Sequence, residues 1–106
     1  MTDAPIEAHI IEWNAIRIEV RWCQSWSESF ERIYGRPLAH LEIESINPAK
    51  VPLPMTETGY RSHFTHPDEI EGAGGPIPFV RAWLSEAAKD PNWIAAEEGR
   101  KQLSLF

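Results

Sequence analysis

From Ala8 onward the chain alternates apolar and polar positions with a period of two. His9, Ile11 and Trp13 alternate with Ile10 and Glu12. Beyond Asn14-Ala15, the residues Ile16, Ile18, Val20 and Trp22 share one face, and Arg17, Glu19 and Arg21 share the other. Asn14 suits a tight turn, so residues 8–22 predict an antiparallel hairpin with one buried and one solvated face, preceded by a loose leader over 1–7. The period then lengthens: Trp26, Phe30, Ile33 and Tyr34 predict a short helix over 25–34, with Ser25 placed to cap it and Gly35 to end it. From Leu38 to Ile46 the alternation returns, with Ala39, Leu41 and Ile43 opposed to His40, Glu42 and Glu44, and predicts a third strand.

Three prolines in Asn47-Pro48-Ala49-Lys50-Val51-Pro52-Leu53-Pro54 break helix and central strand alike and enforce a stiff extended loop. After Gly59, a candidate for positive φ, the alternation of Tyr60, Ser62 and Phe64 predicts a fourth strand at the sheet edge. Pro67 to Gly75 reads as one turn of helix and a glycine-rich bend. Pro76 or Pro78 opens a helix whose stripe of Phe79, Val80, Trp83, Leu84 and Ala87 faces the core. Asp90-Pro91 reads as an N-cap followed by proline, opening a last helix that runs to about Lys101. Its Trp93 and Ile94 can pack, but Glu97, Glu98, Gly99, Arg100 and Lys101 carry no stripe. The pattern predicts an α+β fold, a small antiparallel sheet of three to four strands with C-terminal helices on one face. Residues 1–101 form one domain and 102–106 a C-terminal tail.

The tail is Gln102-Leu103-Ser104-Leu105-Phe106. Leu105 and Phe106 are adjacent apolar anchors for one concave pocket, and Leu103 fills a shallower dent. Gln102 offers an amide that donates and accepts, while Ser104 needs only to be small. Burying each large anchor is worth roughly 1.5–3 kcal/mol, and association and ordering costs reduce the total to an expected affinity of about micromolar. All five positions resemble the pentapeptide by which bacterial polymerases and mismatch-repair factors attach to the β sliding clamp. The resemblance implies a location and a partner rather than a reaction. The plainer reading is that Leu-Ser-Leu-Phe tucks into the domain's own core. The block from Pro52 to Phe64 also resembles one carried by small proteins of bacterial plasmids and mobile elements, a likeness that brings no activity with it.

Charge and composition narrow the classes. Sixteen acidic against ten basic residues give a net charge of −6, with the cations scattered, which argues against direct nucleic-acid binding. A single cysteine, Cys23, excludes an internal disulfide and fits a reducing cytoplasm, where a buried small hydrophobe is its default role. No apolar run approaches a bilayer span, and no signal peptide is expected from Met1-Thr2-Asp3-Ala4-Pro5, which has no basic region and no apolar run. The densest polar cluster, around Glu57, Tyr60, Arg61 and His63, would supply a general base, an anion clamp and a proton partner if catalytic, but such residues are also ordinary loop and edge-strand constituents. His63 and His66, with His9 and His40, make zinc arithmetically conceivable but lack paired cysteines or a helical ligand pattern. Gly72-Ala73-Gly74-Gly75 lacks the lysine and hydroxyl of a phosphate loop.

The sequence therefore predicts no cofactor, no metal site and no membrane contact, and favours a non-enzymatic adaptor or regulator held on the clamp by its tail. Two alternatives stand beside it. One is an acidic mobile-element inhibitor of the anti-restriction or anti-CRISPR type, presenting Glu12, Glu42, Glu44, Glu69 and Glu71 as a mimic of nucleic-acid charge. The other is a small enzyme using residues 56–66.

Overall fold

The computed structural model describes residues 6–25 and 28–103. Four strands, β1 (Ile6–Trp13), β2 (Ile16–Cys23), β3 (Ala39–Asn47) and β4 (Tyr60–Thr65), form one antiparallel sheet in the order of the chain. Helix α1 (Glu28–Tyr34) links β2 to β3, and α2 (Pro67–Gly72), α3 (Pro76–Ala87) and α4 (Pro91–Leu103) follow β4. The fold is α+β, with four strands.

The hairpin forms as its alternation predicts. Asn14 and Ala15 both take positive φ, 47° and 64°, which is the signature of a type I′ turn, and Trp13 faces Ile16 across it. Strand β1 starts at Ile6, so Ile6 and Glu7 belong to the sheet rather than to the leader expected over residues 1–7. Residues 1–5 lie outside the described region. On the inner face Ile11 lies opposite Ile18, Val20 opposite Ile43 and Trp22 opposite Leu41. These side chains are buried together with Leu53, Ile70 of α2, and Val80 and Leu84 of α3. Phe79 and Trp83 pack against that core from the α3 stripe. A register shift between β2 and β3 at Arg17/Ile18 places Asn47 opposite Arg17 and Ser45 opposite Ile18, and leaves Ile46 half exposed.

The proline-rich loop is held by a buried serine. The Ser45 hydroxyl donates to the Val51 carbonyl at 2.8 Å, and its amide donates to the Gly59 carbonyl at 2.8 Å. Gly59 has φ +77° and sits so close that a Cβ there would lie 2.4 Å from the Ser45 Oγ.

Helix α1 forms over Glu28–Tyr34, within the predicted 25–34. It ends as predicted, with Gly35 at φ +72° and its amide donating to the Glu31 carbonyl. Its apolar residues Ile33 and Tyr34 are 73% and 65% exposed. The Phe30 and Tyr34 rings lie against each other at a tilt, with centroids 4.5 Å apart, while Trp26 lies outside the described residues. Helix α4 starts where predicted, with the Asp90 carboxylate accepting from the Asn92 amide at 2.7 Å. It continues through Gln102 and Leu103, and none of residues 91–100 is buried.

Candidate functional site

The polar cluster does not converge. Neighbouring positions on a strand point to opposite faces, so Tyr60 lies on the outer face of β4 while Arg61 and His63 lie on the inner face. The Arg61 guanidinium sits over the Trp83 ring, 5.4 Å from its centroid. The His63 ring packs between Phe79 and Trp83, and its Nε2 is shielded from solvent, 3.8 Å from the Glu69 carboxylate and without a hydrogen bond. Glu57 lies in the loop before β4, along a cleft lined by none of the other three. A shared cleft for the four predicted residues is absent among the described residues. Nor do the described residues gather three or more His, Cys, Asp or Glu side chains in a metal-holding group. The His66 ring instead meets the Pro37 carbonyl at 3.3 Å, and Cys23 is buried and free.

What the structure does assemble on the outer face is a network centred on Arg21. Glu19 of β2 lies directly opposite Glu44 of β3, a like-charge pair that opposes folding unless a cation intervenes. Arg21 is that cation: it donates to Glu19, to Glu44 at 3.1 Å and to both oxygens of Glu42 at 3.4 and 3.5 Å. Burial works against its charge, but the hydrogen bonds it donates to the three carboxylates prevail and raise its pKa. Tyr60 donates its hydroxyl to Glu42. Burial raises the Glu42 pKa, but the hydrogen bonds from Tyr60 and Arg21 outweigh it and leave the carboxyl below its ordinary value. The same Glu42 hydrogen bond raises the Tyr60 hydroxyl. Alongside, buried His40 meets Ser62 Oγ at 2.7 Å and stacks on Phe64, and burial lowers its pKa.

This network bears on the charge-mimic alternative. Glu12, Glu42 and Glu44 share the outer face, but Glu12 lies opposite Arg17 and the other two are bound to Arg21. Glu69 and Glu71 sit on α2, where Glu71 accepts from Gln24. The five carboxylates are dispersed among partners. Finding this network from sequence requires the register between β2 and β3, which alternation alone does not fix.

The second assembly is the seat of α4. Trp93 packs on Trp13 with ring centroids 6.3 Å apart, and the Arg100 guanidinium lies over Trp93 at 4.8 Å. A cleft of about 600 Å³ opens between the helix and the loop Pro52–Glu57, and another of about 280 Å³ opens toward Trp13 and Ile16. The sequence marks Trp93 for packing but gives no role to Arg100, whose position seven residues on, two turns along the same face, was the available signal. Of the expected docking peptide, Gln102 and Leu103 form the end of α4, and Ser104, Leu105 and Phe106 lie outside the described residues.

Comparison with known proteins places this geometry in a family. Residues 6–93 match the KlcB third domain, so the matched region holds the whole sheet, α2 and α3, and stops within the first turn of α4. No curated protein and no solved structure matches the chain.

Proposed function

We propose, from the premise that this chain belongs to the KlcB third-domain family, that it is a non-enzymatic docking module whose Gln102–Phe106 segment engages a bacterial β sliding clamp. The KlcB family is plasmid-linked, which suits a cytoplasmic protein that meets replication machinery. Among the described residues no helix is long and apolar enough to cross a membrane.

The observation that carries this reading is the position of the motif. It begins in the last residues of α4, a helix in which none of residues 91–100 is buried, and it lies beyond Trp93, where the family match ends. A partner that engages the end of this helix therefore meets an element with no buried residue from 91 to 100. Leu105 and Phe106 would be the apolar anchors, and Gln102 the polar one that fixes orientation.

Calorimetric titration of the full chain into purified clamp tests this. The expected result is a dissociation constant of about micromolar, weakened at least ~30-fold in Leu105→Ala, Phe106→Ala by loss of two buried anchors. A flat titration of the wild type, or equal binding by the variant, removes the reading.

A further inference from the structure

We propose that two copies of this chain pair through β1, antiparallel and centred on Ala8, to form a twofold dimer with one continuous eight-stranded sheet. The inference stands apart from the clamp reading, because it uses the opposite end of the chain and a different surface.

Strand β1 is an edge of the sheet, and residues 6–10 are exposed on both of its faces. The backbone groups along such an edge need a partner or water. Across a two-residue type I′ turn the flanking pair, here Trp13 and Ile16, is the hydrogen-bonded one, and bonded and non-bonded pairs then alternate. By that alternation Ile6, Ala8 and Ile10 turn their amides and carbonyls away from β2, toward the open edge. Ile6–Trp13 holds no proline and no lysine, and its pairing with β2 runs without a bulge. The charges it does carry near the axis are Glu7 and His9, which lie 3.4 Å apart within one chain and can exchange that contact for one across the pair.

The side chains select both the partner and the register. Directly opposed residues in an antiparallel pair lie on one face, so a twofold axis must pass through a single residue. An axis at Glu7 sets two carboxylates against each other. An axis at His9 sets Ile6 against Glu12 and Glu7 against Ile11. An axis at Ala8 sets Ile6 against Ile10 of the second copy and Glu7 against its His9, each twice, with the small Ala8 meeting itself. Ile6 and Ile10 are 62% and 46% exposed in the single chain, so this register covers apolar surface that the fold leaves bare. It also places an acid–imidazole pair at the non-bonded position, where opposed side chains approach most closely. A second copy of this chain thus satisfies the edge in hydrogen bonding, apolar contact and charge together.

Sedimentation equilibrium of the full chain, from about 1 µM to about 1 mM, reads the association directly. The wild-type mass is expected to rise from 12.1 kDa to twice that value. Ala8→Pro should remain monomeric with an unchanged circular dichroism spectrum, since the Ala8 amide is not used by β2. Ile10→Lys should also remain monomeric, and it carries the test if Ala8→Pro does not fold. The register is read by charge: His9→Glu should weaken the dimer about tenfold by opposing two carboxylates twice, and Glu7→His, His9→Glu should restore it. A wild-type mass that stays at the monomer value overturns the proposal. So does a dimer indifferent to Ile10→Lys, or a charge swap that fails to rescue.

Discussion

Gly59 shows how much a single residue can fix. Its φ of +77° is in the left-handed region, and a Cβ there would meet the Ser45 hydroxyl at 2.4 Å and the Val51 carbonyl at 2.7 Å. Gly35 has nearly the same φ, +72°, but a Cβ there would meet nothing within 4 Å. The two positions separate backbone strain from steric conflict. Gly35→Ala should cost about 1–2 kcal/mol of unfolding free energy, the left-handed penalty alone, and Gly59→Ala about 3 kcal/mol or more. Urea denaturation of both variants measures the difference; equal losses would mean that the Ser45–Val51 contact yields at no cost. A second residue-scale effect is acid sensitivity. His40 is held below its ordinary pKa, so its contribution is fully present above pH 6.5 and is lost as pH falls toward its folded pKa. Glu42 is held below its ordinary carboxylate value, so its contribution is present above pH 4.5 and is lost as pH falls through its folded pKa. The melting temperature should therefore fall in two stages between pH 7 and pH 3, and Glu42→Gln should remove the lower stage.

The elements divide by whether burial or register decides them. The β1–β2 hairpin, β3 and the α3 stripe were legible because each buries one face, so period two or period 3.6 is written directly into residue type: Ile18, Val20 and Trp22 in one case, Val80 and Leu84 in the other. Helix α1 was legible as a helix from its spacing and from Gly35, although Ile33 and Tyr34 are turned to solvent. In the cluster at 57–63, closeness along a strand is not closeness in space. Tyr60 and Arg61 are adjacent in sequence and lie on opposite sides of the sheet. Helix α4 was legible at its start, through Asp90-Pro91, and in the one tryptophan that seats it, but not in Arg100, which lies over that ring. Trp93→Ala should therefore detach α4 and lower the helical signal at 222 nm, while the main urea transition moves by less than about 1 kcal/mol. A shift of the whole transition by several kcal/mol would instead make α4 part of the core.

Across the whole molecule these differences become a gradient of stability. The buried side chains concentrate on β2 and β3, which each have a neighbour on both sides, with α2 and α3 closing the inner face. Helices α1 and α4 lie outside that unit, one with exposed apolar residues and one without a buried residue from 91 to 100. Amides whose opening requires the core to separate exchange only through global unfolding, whereas those held by a single exposed helix exchange through local opening. Native-state hydrogen exchange should therefore give β2 and β3 amides the full unfolding free energy, and α4 amides from Trp93 onward a value smaller by at least ~2 kcal/mol. That ordering is what the proposed docking requires, because a partner that takes the last five residues then disturbs the cheapest part of the fold and leaves the sheet intact. If α4 amides proved as protected as those of β2, the helix would open only with the core. Engaging its end would then carry the cost of unfolding the domain, and a micromolar contact would not meet that cost.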